Sequence, residues 1–440
     1  MKRAVISIVL CSLVFTLNVT NSNAAVKSGA ACKKIGQTSV SGGSKFTCTK
    51  YGKKLIWKKE IAGVTPTPVP DLANYQPIAS DVQKCKLTQP TSNYFGTGFG
   101  FPRSAFRLKN TGEVKGLFLY VEFNDVKGTD DPTQDASTYV QKFIDFYKSV
   151  SYSQLNFNVE VFPKYLLIPK DSSSYGMDVW GKGNPYQYWK DGLLAAKSFV
   201  DFSKYEFVVV IPPSGIKSII YGPSMPLPPG DTTGLTEQKT IYNGLMGGAD
   251  QRNKQTRWIW LAHEIGHDLG MEHHFSYDGE AVWDLMNNVY DFTAPELLGW
   301  NRFFQGWMSG SSVACLESNE ILDKPLTIRL MPLSSSGNGT RLILIKLTNQ
   351  TSLAIEHRTI TRFDTLDGDK KLEGVIAYTV DVSKQSNQNA FSMVTNSNPN
   401  RNLRKNLVGS LKSGDSVKSS GLVITIQSQN SDGYLVKISR

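Results

Sequence analysis

Four of the chain's five histidines lie within twelve residues, in the run His263-Glu264-Ile265-Gly266-His267-Asp268-Leu269-Gly270-Met271-Glu272-His273-His274. This spacing restricts what the segment can fold into. Positions i and i+4 of an α-helix project from one face, so a helix from Arg257 to Gly270 sets His263 beside His267. Two imidazoles so placed can share one Zn2+, the ion best suited to a few nitrogen ligands in a tetrahedral site. Gly270 can take a positive φ and let the chain leave the helix. The turn then returns His273 as a third ligand, and a fourth position stays open, as in catalytic zinc sites. Glu264 follows His263 directly and is expected beside the metal rather than on it. There a carboxylate can take a proton from water and later pass it to a leaving amine.

A bare His-Glu-x-x-His also occurs on exposed helix faces. The glycine exit and the third histidine at set offsets separate this run from that case. A purely structural zinc is the other alternative, and the retained Glu264 argues against it. Only His273 fits the third-ligand spacing, so His274 is expected to be exposed or to stand behind the ligands. His357 is remote from the group and is expected at the surface or in packing. Met286 lies 13 residues beyond His273, in Ala281-Val282-Trp283-Asp284-Leu285-Met286-Asn287. Taken alone it is ordinary core filler.

The run His263 to His273 together with Met286 resembles the metzincin metallopeptidases, in which a methionine turn lies beneath the metal. Within them the chain is similar to the immune inhibitor A family of secreted bacterial peptidases. The supporting stretches are Leu119-Tyr120-Val121-Glu122-Phe123-Asn124-Asp125, Phe146-Tyr147-Lys148-Ser149-Val150-Ser151-Tyr152, Val200-Asp201-Phe202-Ser203-Lys204-Tyr205, Leu298-Gly299-Trp300 and Gly374-Val375-Ile376-Ala377-Tyr378-Thr379-Val380-Asp381. The similarity spans about Gly116 to Asp381. One departure bears on the third ligand: that family often carries Pro-Asp where this chain has Glu272-His273. The resemblance implies peptide-bond hydrolysis and does not itself settle the third ligand.

The remaining sequence divides around this region. Met1-Lys2-Arg3, the apolar run Ala4 to Leu17 and the small-x-small Ser22-Asn23-Ala24 read as an export signal over 1–24. A membrane anchor would need roughly 20 apolar residues. Cys11 leaves with the signal, and the Leu10 before it does not fit a lipoprotein site. Four cysteines then remain. In an exported chain they are expected to pair, and nearness favours Cys32–Cys48, which leaves Cys85–Cys315; free buried thiols are the alternative. Residues 25–62 read as a small module of hairpin strands stapled by one bridge. Its pattern, Ala31-Cys32-Lys33-Lys34-Ile35-Gly36, Phe46-Thr47-Cys48 and Gly52-Lys53-Lys54-Leu55-Ile56-Trp57, resembles a short module near the N-termini of many exported actinobacterial proteins, which implies surface residence. Residues 63–85 are a linker, extended at Thr65-Pro66-Thr67-Pro68-Val69-Pro70.

Residues 86–310 are the expected catalytic domain. Strands are expected at Gly116–Phe123, Leu155–Val161, Phe207–Ile211 and Thr240–Met246. Helices are expected at Ala136–Val150, at Pro185–Phe199 and from the capped start Thr293-Ala294-Pro295-Glu296. From 311 to 440 short apolar runs alternate with Asn, Ser and Gly clusters, a β-sandwich pattern. The formal net charge is +10 with a pI near 9.1. The lysines are scattered apart from Lys50, Lys53, Lys54, Lys58 and Lys59, and no nucleic-acid-binding signature is present.

These readings together predict an α+β fold. A zincin-like domain, a twisted mixed sheet with the zinc helix packed on it, precedes a β-sandwich-like domain. The expected activity is that of a secreted zinc endopeptidase, with His263, His267 and His273 on Zn2+ and Glu264 as general base. Tyr290 and Tyr277 are candidate oxyanion donors. Expected partners are protein or peptide substrates, not nucleic acid and not a membrane interior, with the basic module as a route to cell-wall or surface association. The alternatives are a wall-associated adhesion protein with a vestigial central domain, and a zinc hydrolase of a non-protein substrate.

Overall fold

The computed structural model describes residues 26–51, 54–59, 80–90, 97–224, 242–245, 247–248, 256–274, 283–287, 296–321, 324–363, 373–396 and 409–440. The expected export signal and the Pro-rich core of the linker lie outside the described residues. So do Tyr277, Tyr290 and Thr293. The chain forms two compact units, 1–70 and 71–440.

In the first unit, β1 (Thr38–Ser41), β2 (Ser44–Tyr51) and β3 (Lys54–Lys59) form an antiparallel sheet in that order. Among the described residues its buried core is Phe46, Cys48 and Trp57, with Val26, Cys32 and Leu55 packed against them. So small an apolar cluster needs a covalent staple, which the Cys32–Cys48 disulfide supplies.

The second unit is α+β. It begins with a short 3-10 turn over Val82–Cys85, capped by Asp81, inside the stretch expected as linker. Next come β4 (Gly112–Glu122), α1 (Pro132–Ser137), α2 (Val140–Val150), β5 (Leu155–Val161), β6 (Leu166–Leu167), α3 (Pro185–Ala196), β7 (Phe207–Ile211), β8 (Tyr242–Leu245), α4 (Arg257–Asp268) and α5 (Gly299–Phe304). The strands make one sheet in the order β5-β4-β7-β8, with β6 also on β4.

The expected mixed sheet is corrected here: among the described residues every pairing in it is parallel. The reason is the connections. Helices α1 and α2 carry the chain from β4 to β5, and α3 carries it from β6 to β7, and such crossovers return each strand in the same sense. Phe118 and Tyr120 of β4 pack with α2 and α4, whereas Leu117, Leu119 and Val121 pack with α3. Strand β7 is buried on both faces, which explains its unbroken apolar run.

Two expected helices differ in extent. The stripe Val140, Phe143, Ile144 and Tyr147 lies wholly in α2, and the chain breaks before it. The preceding α1 starts at Pro132, where Asp131 accepts from Gln134 N–H. The helix expected from Thr293 begins at Gly299 instead. Its first amide donates to Glu356 Oε2 at 2.6 Å, a cap 57 residues away that no local pattern reveals.

The C-terminal portion contains β9 (Val313–Glu317), β10 (Leu326–Leu330), β11 (Leu342–Lys346), β12 (Thr351–Arg358), β13 (Gly374–Asp381), β14 (Phe391–Met393), β15 (Ser416–Ser419), β16 (Leu422–Asn430) and β17 (Gly433–Ser439). They form two sheets, β14-β13-β12-β11-β9 and β10-β17-β16-β15. One core joins them, with Ile343, Ile345, Leu353 and Ile355 from the first and Ile328, Ile424, Val436 and Ile438 from the second. The other side of the five-stranded sheet buries Leu342, Leu344, Ile376 and Tyr378 against Trp300, Phe303 and Trp283. The Cys85–Cys315 disulfide ties β9 to the 3-10 turn that opens the unit.

Candidate metal centre

Helix α4 carries Trp258, Ile259, Leu261, Ala262 and Ile265 into the core shared with α2 and β7. Its end shows why glycine stands at 270. Gly270 has φ 93°, its N–H donates to His267 O at 2.8 Å, and Met271 N–H donates to Gly266 O at 3.0 Å. This pair of bonds closes a helix through a left-handed residue. The other terminal carbonyls are also occupied. Leu269 O accepts from Arg103 Nε and Gln305 Nε2, and Asp268 O accepts from Leu108 N–H.

The three expected ligands come together. His263 Nε2 lies 3.2 Å from His267 Nε2 and 3.0 Å from His273 Nε2, and one ligand atom from each ring fits within a 4.8 Å cluster. The other ring nitrogens set the tautomers. His263 Nδ1 faces Leu285 O at 2.8 Å, and His267 Nδ1 faces Met271 O at 3.0 Å. A carbonyl only accepts, so both Nδ1 atoms carry the proton and both Nε2 atoms present a lone pair. Two such lone pairs 3.2 Å apart repel unless a cation lies between them or one ring becomes charged. Burial opposes ring charge: it pushes the His263 and His267 pKa values down, and the neighbouring His267 and His273 add to this for His263. For His273 burial is again the leading cause of a lowered pKa, followed by His267. Three neutral, converging imidazoles are what a metal ion requires.

Glu264 is buried on the same helix, and its Oε2 accepts from Ser224 N–H at 2.7 Å. Ser224 Oγ donates to Asp268 Oδ1 at 2.5 Å. Burial pushes the Asp268 carboxyl up to about 8. Ser224 thus fixes two carboxyl groups one helical turn apart. It comes from the segment after β7, 40 residues before Glu264, and no sequence pattern marks it.

Met286 is fully buried and packs on Gly266, leaving no room there for a Cβ. Its N–H donates to Asp284 Oδ1 at 2.7 Å. The turn holding it also supplies the carbonyl of Leu285 to His263, so packing and ring orientation come from one segment.

His273 is held differently. Glu272 accepts from Thr97 Oγ1 at 2.7 Å, from Ser386 Oγ at 2.9 Å and from His273 N–H at 3.1 Å. Asn387 N–H donates to His273 O at 3.3 Å. Ser386 and Asn387 lie between β13 and β14, so the β-rich portion meets the centre directly.

His274 is not exposed. It is fully buried, stacked on Phe391 with centroids 4.1 Å apart, and its Nε2 accepts from Asn301 Nδ2 at 2.7 Å. Aromatic partners from β14 and a polar one from α5 draw it away from the ligand group. His357 packs edge-on against Tyr434 at 4.7 Å, and burial pulls its pKa down to about 4.

An aromatic series runs outward from the histidines. Trp260 stacks on His263 at 6.2 Å, Trp180 meets Trp260 at 5.9 Å, and Tyr221 lies 5.3 Å from Trp180. Trp180 remains 47 % exposed at its outer end. No family model matches the chain, and no curated protein matches it.

Proposed function

We propose that the chain is a secreted, zinc-dependent endopeptidase with a zincin-like catalytic domain and a β-sandwich-like C-terminal domain. The observation that carries this reading is the convergence of three neutral imidazoles on the helix that also bears Glu264. His263, His267 and His273 would hold the ion. Bonds of about 2.0–2.1 Å in a tetrahedral site place ligand nitrogens about 3.3 Å apart, and the observed 3.0 and 3.2 Å separations are close to that. When bound, Zn2+ polarises a carbonyl and makes water more acidic.

The chain's own groups account for the rest. The Leu285 and Met271 carbonyls orient the rings. Ser224 N–H aims the Glu264 carboxylate. Glu264 takes a proton from the attacking water and returns it to the leaving amine. Strand β8 pairs only with β7 among the described residues, at the edge of the sheet. An extended peptide adding to that edge would be read by backbone hydrogen bonds.

Secretion is consistent with two disulfides. No helix among the described residues is long and apolar enough to cross a membrane. The test is digestion of casein and of a peptide library by purified protein, with chelator and with added zinc. Cleavage abolished by chelator and restored by zinc is expected. Cleavage that survives chelation, or zinc-loaded protein that cuts no peptide, overturns the reading. Turnover of a non-peptide ester or amide alone would assign the same centre to another hydrolase class.

A further inference from the structure

Trp180 is exposed on a turn that is tightly held. Its side chain remains 47 % exposed and that of its neighbour Val179 54 %. Asn184 N–H donates to Tyr175 O at 2.8 Å and closes the base of the turn, and Lys182 N–H donates to Val179 O at 3.1 Å across its tip. Gly183 has φ 87° and lies so close to the carbonyls of Tyr175 and Gly176 that a Cβ has no room there. Along the side of the turn, Ile220 N–H donates to Met177 O at 3.0 Å and Tyr221 Oη donates to Lys182 O at 2.6 Å. The 219–221 segment is fixed in its own right. Gly248 N–H donates to Ile219 O at 2.7 Å, and Gly247 lies against the backbone of Tyr221 with no space for a Cβ. Both glycines follow directly on the edge strand β8.

The ring on this turn is joined to the histidine cluster by contact. Tyr221 is buried and lies 5.3 Å from Trp180, Trp180 meets Trp260 at 5.9 Å, and Trp260 stacks on His263 at 6.2 Å. The Trp180 ring is therefore at most about 12 Å from the His263 ring, a distance that an extended peptide covers in about four residues at roughly 3.3 Å each. A rigid, half-exposed indole gains by meeting a further ring, because aromatic pairs attract beyond the apolar area they cover. The surface is too small for a macromolecular partner, which needs about 800 Å² a side. Among the described residues the exposed large apolar side chains of this turn are Val179 and Trp180. Such a patch fits one side chain.

We propose that Trp180, backed by Trp260 and Tyr221, is a specificity subsite that takes an aromatic side chain of the peptide substrate, within about four residues of the bond cut. The inference deepens the peptidase reading and rests on it for the identity of the substrate. Backbone hydrogen bonds along β8 would hold an extended chain of any sequence. Side chains of such a chain alternate between two faces, so the edge can hold the backbone while one side chain reaches the indole. Trp180 thus supplies the selection that edge pairing lacks.

The test profiles cleavage of a random peptide library by the zinc-loaded chain, then compares matched peptides with Phe or Ala at the selected position. The parent should enrich Phe, Tyr and Trp at one position near the cut and prefer Phe over Ala about tenfold or more in kcat/KM. Trp180→Ala should reduce this preference to about twofold or less while the Ala peptide is cleaved at the parental rate, and Trp180→Tyr should restore most of it. Phe199→Ala removes another exposed ring, one that pairs with Phe162 rather than with this series, and should leave the preference unchanged. A second arm measures binding of an uncleavable reduced-amide peptide, with one Phe scanned along an alanine background, to the same proteins. It should show the same dependence on Trp180. If the parent cuts no peptide, the peptidase reading fails on its own, and the binding arm still decides the subsite. The subsite is overturned if neither arm favours an aromatic residue, if Trp180→Ala keeps the preference, if it weakens the Phe and Ala peptides alike, or if Lys or Arg is the residue selected.

Discussion

The two sides of the histidine cluster are held together by different means. His263 and His267 belong to one helix, and their Nδ1 partners, Leu285 O and Met271 O, lie 22 and 4 residues away. His273 leaves that helix and depends on Glu272, whose partners Ser386 and Thr97 are 114 and 175 residues distant. The helical side is organised mostly by spacing. The other side exists only when the β-rich portion and the segment at Thr97 are already in place. Metal binding should therefore report on the folding of the whole second unit rather than of the helix alone.

The largest expected effect lies on the helical side and separates chemistry from metal holding. Glu264→Gln keeps the shape and the Ser224 contact but cannot take the proton. It should retain the metal and lose about 10²–10⁴-fold in kcat. Metal analysis beside steady-state kinetics checks this, and near-parental turnover with metal bound would assign the base elsewhere. Next in size is the covalent tie on the remote side. Replacing Cys85 and Cys315 together by serine removes a bridge spanning 230 residues, which should cost about 2–5 kcal/mol of stability. Denaturant unfolding measures the loss. The same comparison predicts weaker metal retention in the serine double variant even where α4 remains helical by circular dichroism.

What could be read from the sequence follows the same division. The spans of β5 and β7, the helix at α4, its glycine exit and the Cys32–Cys48 pairing rest on local periodicity, short-range turn chemistry or simple proximity, and the structure has them; Cys85–Cys315, 230 residues apart, followed only as the pair that remained. Features set by distant partners were not legible. The α5 start depends on Glu356, His274 is drawn inward by Phe391 and Asn301, and Glu264 is fixed by Ser224. That the sheet is parallel rather than mixed among the described residues was hidden for a related reason. Strand direction is decided by how the crossovers pack, and apolar alternation along one strand carries no record of its neighbour's direction.

Removing Glu272 tests the remote side directly. Glu272→Ala takes away the carboxylate that joins Thr97, Ser386 and the His273 backbone. Groups that orient metal ligands from behind typically contribute 10–100-fold in metal affinity, so about that loss is expected in a chelator competition. The conservative Glu272→Gln keeps one acceptor oxygen and should recover part of it. If both variants bind metal like the parent, His273 is held by its backbone alone.

Ser386→Ala should give the smallest effect and the sharpest discrimination. It deletes one hydroxyl donor to Glu272, from the segment between β13 and β14. One hydrogen bond contributes about 0.5–1.5 kcal/mol, which corresponds to a few-fold to about tenfold in affinity if the full amount reaches the ligand. Glu272 keeps Thr97 Oγ1 and the His273 N–H, so some of the loss should be absorbed, and a few-fold weakening is expected. Global stability should hardly change, since Ser386 is not part of a core. A merely structural role predicts the reverse, a small shift in unfolding midpoint with metal affinity intact. Measuring both on the same variant decides whether the β-rich portion only packs against the metal centre or also sets the position of its third ligand.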